Sequence, residues 1–151
     1  MDAVVLWNMG ELTRTGVAID ADLLARFDRF IRKQGYTNRS EAFRDLIRDR
    51  LVLEVVQDPE ALVVGTVTLI YDHHARLLTE KLTELQHQHH ESIISTTHAH
   101  LDHGTCLEVI VVRGPSKKVQ RLADLLIGTK GVQHGRLVMS SPKIVPKAAG
   151  L

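Results

Sequence analysis

The chain has 151 residues, 44% of them hydrophobic, and a formal net charge of +1 at pH 7, which suits one ordinary domain or two small ones with packed cores. No stretch reaches the roughly 20 uninterrupted apolar residues of a membrane helix, and the N-terminus lacks the basic and apolar regions of a secretory signal, so we expect a cytoplasmic protein with no membrane partner. The single cysteine, Cys106, excludes an internal disulfide and is a buried apolar residue, a reactive thiol or a metal ligand.

The first elements are an N-terminal arm, residues 1–12, and a short β-strand over residues 13–19. Because side chains alternate along a strand, Arg14, Gly16 and Ala18 share one of its faces. The sequence nearby offers this strand no partner.

Two amphipathic helices follow the strand. Asp20 is a typical N-cap and Gly35 a typical C-terminal cap for the first helix. Asn38 and Glu41 have the spacing of a capping box at the start of the second. One strand and two helices in about 50 residues have too little core to be stable alone and leave strand backbone unpaired. Residues 13–57 are therefore predicted to form an obligate dimer, with two strands paired across a two-fold axis.

A polar break containing a proline, residues 57–60, marks the predicted boundary with a second domain over residues 61–140. Its elements are predicted as strand 61–71, helix 75–88, strands 92–101 and 105–113, helix 116–127 and strand 132–140. This β-α-β-β-α-β order is that of the ferredoxin-like fold. The chain is thus predicted to be α+β, with a loose C-terminal tail over residues 141–151.

Eight of the nine histidines lie between His73 and His103. His98 and His100 are two residues apart on a predicted strand, so both imidazoles point to one face, and the turn that follows brings Cys106 to the same face. These side chains are candidates to bind one metal ion. Spacing alone leaves an equal alternative, in which the histidines form hydrogen bonds on the sheet surface and the cysteine belongs to the core.

Two other functions compete with metal sensing. An enzyme could use Cys106 as nucleophile and a nearby histidine as base, but the pattern offers no evident oxyanion site or third orienting residue, so the chain is predicted not to be an enzyme. The second domain also resembles the regulatory ACT fold, which binds small ligands at subunit interfaces. The alternative function is therefore an ACT-like ligand-binding module, or a metal-binding protein without sequence-specific DNA binding.

From about Thr13 to Met139 the chain resembles the nickel-responsive regulator family, NikR. The stretches that carry the resemblance are Gly35–Ala42 with Arg44 and Asp45, His87–His90 and, most specifically, His98–Glu108. The resemblance implies a ribbon-helix-helix DNA-binding and dimerisation domain, followed by an ACT-type metal-binding and tetramerisation domain. It implies a homotetramer, a dimer of dimers, that binds double-stranded operator DNA and represses nickel uptake.

The resemblance also implies the ligands of one Ni(II) per subunit, namely His98, His100 and Cys106 of one subunit and His87 of a neighbour. Three imidazoles and a thiolate in a plane suit Ni(II) or Cu(II) better than Zn(II). Glu108 is implied to orient a ligand imidazole. The other histidines of the cluster are predicted to be solvated or secondary metal contacts, namely His73, His74, His89, His90 and His103. A second, potassium-like cation is implied at Glu41 and Asp45.

Ribbon-helix-helix proteins insert a two-stranded ribbon into the major groove and set the second helix against phosphate. The predicted phosphate contacts are Asn38, Arg39, Ser40, Arg44 and, from the metal-binding domain, Arg76. The alternative is ordinary helix capping beside a solvated helix face.

On the predicted ribbon face, only Arg14 of the three residues Arg14, Gly16 and Ala18 can form a hydrogen bond with a base edge, so direct readout of sequence is predicted to be weak. The N-terminal arm lacks the arginines expected of a groove-reading arm.

Overall fold

The computed structural model describes residues 13–72 and 74–142. Its elements are α1 (Ala21–Lys33), α2 (Arg39–Gln57), β1 (Leu62–Asp72), α3 (Arg76–Gln88), a 3-10 turn (His90–Ser92), β2 (Ile93–His100), β3 (Thr105–Pro115), α4 (Ser116–Ile127) and β4 (Val132–Ser140). The chain divides into two compact units, Met1–Phe43 and Arg44–Leu151. The predicted arm, His73 and the tail from residue 143 lie outside the described residues.

The caps of the first two helices confirm the sequence prediction. The carboxylate of Asp20 accepts a hydrogen bond from the N–H of Leu23 at 2.8 Å, and Gly35 takes a φ of 83° just beyond the end of α1. A residue with a side chain rarely adopts that backbone conformation, so glycine suits this helix stop. At the start of α2, the side-chain oxygen of Asn38 accepts the N–H of Glu41 at 3.0 Å.

The first unit has a small core. Ile31 and Ala42 are buried, and the rings of Phe27 and Phe43 stack with centroids 4.8 Å apart. Residues 13–20 precede α1 without regular secondary structure, and Val17 is 71% exposed. Large apolar side chains are also exposed along α1 and α2, namely Leu23 and Phe30 in the first unit and Leu46 and Ile47 in the second. Since a strand needs a partner, the predicted strand over residues 13–19 stays a prediction for the paired chain.

The second unit is built on a four-stranded antiparallel sheet in the order β2-β3-β1-β4. This topology confirms the predicted β-α-β-β-α-β domain. Alternate residues of β1 and β3 enter one buried cluster with apolar residues of α3 and α4, as the two-residue period of a strand requires. The largest of these buried side chains are Leu69, Tyr71, Leu82, Ile110, Leu122 and Leu126.

Among the described residues, no helix combines the length and the apolar character that crossing a bilayer requires.

Candidate metal centre

His98, His100 and Cys106 converge at the end of the sheet where β2 turns into β3. Their potential ligand atoms all lie within 4.8 Å of one another, and within residues 13–72 and 74–142 they are the only such group of three or more. The sulfur of Cys106 lies 3.3 Å from Nδ1 of His100, and the two imidazole centroids are 5.1 Å apart. The predicted convergence of these three side chains is confirmed.

Strand register explains the convergence. In the β2–β3 pairing, His100 lies opposite Cys106 and His98 lies opposite Glu108. The connecting turn is held by Asp102, whose carboxylate accepts the N–H groups of Gly104 at 2.8 Å and Thr105 at 2.7 Å. These bonds fix where β3 begins, and a shift of one residue would turn Cys106 to the opposite face of the sheet.

The surroundings of the thiol favour a cation. Burial raises the pKa of Cys106, and the nearby carboxylates of Asp72, Glu108 and Asp102 raise it further. Without a metal the thiol is therefore held neutral, which does not suit a catalytic nucleophile. A bound metal cation would reverse this preference, because it coordinates the thiolate and offsets the neighbouring negative charge.

Glu108 is only 5% exposed, and hydrogen bonds reach both of its carboxylate oxygens. The hydroxyl of Tyr71 donates to one oxygen at 2.7 Å, and the side-chain amide of Gln86 donates to the other at 2.7 Å. The ring of Tyr71 meets that of His98 edge-on, with centroids 6.0 Å apart. Glu108 therefore contacts Tyr71, which contacts the imidazole. Its direct orientation of a ligand imidazole stays a prediction.

Tyr71 and Gln86 are site residues that sequence reasoning missed. For Tyr71 a signal existed, since a tyrosine on the inward face of an apolar strand needs a partner for its hydroxyl. Burial, followed by the bond to Glu108, raises the pKa of Tyr71, so the phenol remains a neutral donor. Gln86 also accepts the hydroxyl of Thr96 on β2 at 2.8 Å, which ties the last turn of α3 to the sheet.

The fourth predicted ligand, His87, lies outside this cluster. It is exposed on α3 and borders an open cavity of about 600 Å³ lined by Thr79, Glu80, Thr83, Glu84, His87 and Gln88. The single chain thus brings together three of the four predicted ligands.

Of the remaining histidines, His74 is engaged by Asp72. The Asp72 carboxylate lies 2.9 Å from the backbone nitrogen of His74 and 3.1 Å from its Nδ1. Nδ1 of His90 lies 3.1 Å from the backbone oxygen of His87. His103 is exposed and His89 is half-buried. Their roles as solvated or secondary metal contacts stay predictions.

The predicted DNA-contacting residues are mostly exposed, but Arg39 has a partner within the chain. Its guanidinium donates two hydrogen bonds of 2.7 Å to the carboxylate of Asp28. Hydrogen bonding to Arg39 holds the pKa of Asp28 below its usual range. Asn38 is exposed and caps α2 through its bond to Glu41. The other exposed residues of this set are Arg14, Gly16, Ala18, Ser40 and Arg44. Arg76 begins α3, and its side chain lies outside what the structure describes.

The carboxylates predicted to hold a second cation each have a partner in the chain. Glu41 accepts the hydroxyl of Thr37 at 3.3 Å, and Asp45 forms an ion pair with Arg48 at 2.8 Å. The phosphate, base and second-cation roles are not decided by these contacts and stay predictions.

Comparison with known proteins gives matches over both parts of the chain. Residues 64–140 match the family model described as the NikR C terminal nickel binding domain, and residues 13–54 match that of the ribbon-helix-helix proteins of the copG family. Proteins named as nickel-responsive regulators are similar over 133 residues, which are 88% of this chain and 96% of each relative. They are 64% identical in Solibacter usitatus, 56% in Geobacter metallireducens and 53% in Trichlorobacter lovleyi.

Proposed function

The chain belongs to the nickel-responsive regulator family, and we propose that it binds one Ni(II) per subunit and lets this ion control its binding to double-stranded operator DNA. Family membership confirms the prediction of a DNA-binding regulator rather than an enzyme. The observation that carries the proposal is the convergence of His98, His100 and Cys106 within 4.8 Å, inside the region that matches a nickel-binding domain.

His87 of a neighbouring subunit is proposed as the fourth ligand, completing a planar set of three imidazoles and a thiolate. Two features support this choice. The imidazoles of His98 and His100 are exposed, so a further ligand can approach them from outside the chain. His87 is itself exposed on α3 and separate from the cluster. Nickel bound there would fix the relative position of two subunits, and the donor set suits Ni(II) in a planar geometry.

Copper is expected to bind the same donors more tightly in vitro, in line with the general order of divalent metal affinities. Selectivity for nickel is therefore assigned to the geometry that DNA binding requires and to the metals that the cell leaves free.

The proposed assembly is a homotetramer made of two DNA-binding dimers. The exposed apolar side chains of α1 and α2 need cover, and residues 13–19 need a strand partner, so a second chain would supply both. Two such dimers joined through the nickel-binding domains would place both histidine-bearing surfaces in contact with neighbours.

For DNA, the proposed contacts are Arg14 in the major groove and Asn38, Arg39, Ser40 and Arg44 against phosphate, with Arg76 adding a phosphate contact from the metal-binding domain. Nickel binding would favour the DNA-bound arrangement and so repress transcription of nickel uptake. Gly16 and Ala18 lack hydrogen-bonding side chains, so most affinity is expected from phosphate contacts and should depend steeply on salt.

Fluorescence anisotropy tests the proposal, with a duplex that the nickel-loaded protein has selected from a random-sequence pool. Nickel should tighten binding to this duplex by at least about tenfold, which is a coupling free energy within the usual range for effectors. A chelator should reverse the effect, and the Cys106→Ser variant should respond far less. Equal affinity with and without nickel at fixed salt would refute nickel control.

A further inference from the structure

In the second unit, the first turn of α4 donates hydrogen bonds to the last turn of α2 and to the linker that follows α2, residues 58–61. The hydroxyl of Ser116 donates to the backbone oxygen of Val56 at 2.5 Å. The N–H of Ser116 donates to the oxygen of Ala61 at 2.8 Å, and that of Lys117 donates to the oxygen of Pro59 at 3.0 Å. Ser116 is 5% exposed, so its bonds are shielded from water.

These bonds satisfy backbone groups that neither helix can satisfy itself. The first N–H groups and the last carbonyls of a helix have no partner within that helix. Pro115 precedes α4 and provides no side-chain cap, and the last turn of α2 has no basic residue. The backbone oxygens of Pro59 and Ala61 therefore cap the start of α4, while the hydroxyl of Ser116 caps the end of α2. The negative end of one helix dipole also lies beside the positive end of the other, which is favourable.

The connection between α2 and β1 is an ordered turn within this junction. Asp58 accepts the backbone N–H of Glu60 through its carboxylate at 3.0 Å and that of Ala61 through its carbonyl at 3.2 Å. Val56 and Met139 pack against the core of the second unit. The polar break that the sequence presents at residues 57–60 thus fastens the end of α2 to the core of the nickel-binding domain.

We infer that Ser116 is a positioning residue that couples the state of the nickel-binding domain to α2, by holding the last turn of this helix against the start of α4. The inference rests on the proposed nickel control of DNA binding. At its other end α2 carries the proposed phosphate contacts, and the junction is where the chain passes from this helix into the metal-binding sheet. A loosened junction should let nickel bind without moving α2.

The test compares wild type, Ser116→Ala and Thr129→Val as full-length proteins. Thr129 is a matched control, because its buried hydroxyl also donates to a helix-end carbonyl, that of Leu125 at 2.8 Å, but at the far end of α4. Ser116→Thr keeps the hydroxyl and should restore what alanine loses. Nickel affinity is measured by absorbance titration, DNA affinity by anisotropy with and without nickel, and amide hydrogen exchange over residues 53–61 and 116–119.

We expect the nickel affinity of Ser116→Ala to stay within about twofold of wild type. The factor by which nickel increases DNA affinity should fall about fivefold or more, because coupling between two sites typically amounts to a factor of about five or more. Amide hydrogen exchange at residues 53–61 and 116–119 should become up to about tenfold faster, because the loss of one hydrogen bond makes local opening more favourable. Thr129→Val should retain the full nickel response. An undiminished response in Ser116→Ala, or an equal loss in Thr129→Val, would overturn the inference.

Wild-type protein in the same assay separates this inference from the proposed function. If its DNA affinity ignores nickel, the proposed function fails, and the inference fails with it. If Ser116→Ala does not fold, hydrogen exchange of the wild type decides. Nickel should then slow exchange at residues 53–61 and 116–119 together, and unchanged exchange at both segments would overturn the inference.

Discussion

The thiol of Cys106 is fully buried, while the two imidazoles beside it are exposed. Burial alone would be satisfied by any small apolar residue, so the histidines are what give this position its chemistry. The thiolate is the soft ligand of the set and the one that most distinguishes it from an ordinary histidine site.

Replacing Cys106 with serine should therefore weaken nickel binding by well over tenfold, because a hydroxyl is a poor substitute for a thiolate ligand. The measurement is a competition titration against a chelator of known nickel affinity. His134→Ala is a suitable control, since this exposed histidine lies on β4 and is outside both the proposed ligand set and the histidine cluster. Equal affinity of wild type and Cys106→Ser would remove Cys106 from the site.

Asp28 forms an ion pair with Arg39, a residue that is proposed to contact DNA phosphate. Both of its carboxylate oxygens accept hydrogen bonds from Arg39, whose side chain is still 52% exposed. Asp28→Asn should free the guanidinium and remove a negative charge near DNA, so binding to selected and scrambled duplexes should strengthen equally, by about two- to tenfold at low salt. Anisotropy titrations with both duplexes measure this. A gain confined to one duplex would mean that Arg39 reads bases.

The ion pair between Asp28 and Arg39 predicts that the stability of the fold depends on pH. Because Arg39 lowers the pKa of Asp28 in the folded chain, the pair stabilises the fold above the ordinary carboxyl pKa and loses this effect as pH falls through the lowered value. Compared with wild type, Asp28→Asn should therefore show its full stability deficit at neutral pH, and this deficit should shrink as pH falls below about pH 4. Denaturant titrations at pH 7 and pH 3 measure the difference. A deficit of the same size at both pH values would have another cause.

Helix α3 and strand β2 meet through Gln86. Its amide donates to Glu108 on β3 and accepts from Thr96 on β2, and His87 is the next residue along the helix. The bonds that hold the sheet around His98 thus also hold the helix end that carries the proposed fourth ligand.

Gln86→Ala should accordingly weaken nickel binding by about tenfold, the lower end of the effect of losing residues that orient metal ligands. Gln88→Ala is the matched control, because Gln88 is exposed on the same turn and donates to Glu84, away from the sheet. Isothermal titration with nickel compares the two variants. Equal losses would indicate that only the stability of the helix end matters.

The helices, the strands and the convergence of the three ligand side chains can be predicted from the sequence. Helix caps at Asp20 and Asn38 and the alternation along β2 and β3 are local patterns, so the elements and the histidine–cysteine convergence follow from them. The contacts of Glu108 do not, because Tyr71 and Gln86 lie 37 and 22 residues away and meet it only through strand register and helix docking. Local periodicity carries no information on such pairs.

For the whole molecule, two features favour the proposed assembly of several chains. Residues 13–19 have the pattern of a strand but pair with no strand among residues 13–72 and 74–142, and His87 lies apart from the other proposed ligands. The proposed assembly would explain both features, since a surface that is completed by symmetry is incomplete in one subunit. The proposed nickel site is therefore shared between subunits.

Complementation between two defective chains tests this claim most directly. His87→Ala lacks only the donated ligand and His98→Ala lacks only a ligand of the receiving cluster, so each alone should bind nickel poorly. After subunit exchange in an equimolar mixture, about one quarter of the sites should be intact, because half of the pairs are mixed and each mixed pair has one complete site. The thiolate-to-nickel absorbance band counts them, with a chain carrying both substitutions as control. Recovery of that fraction supports a shared site, whereas no recovered band after confirmed exchange would place all ligands of a site within one subunit.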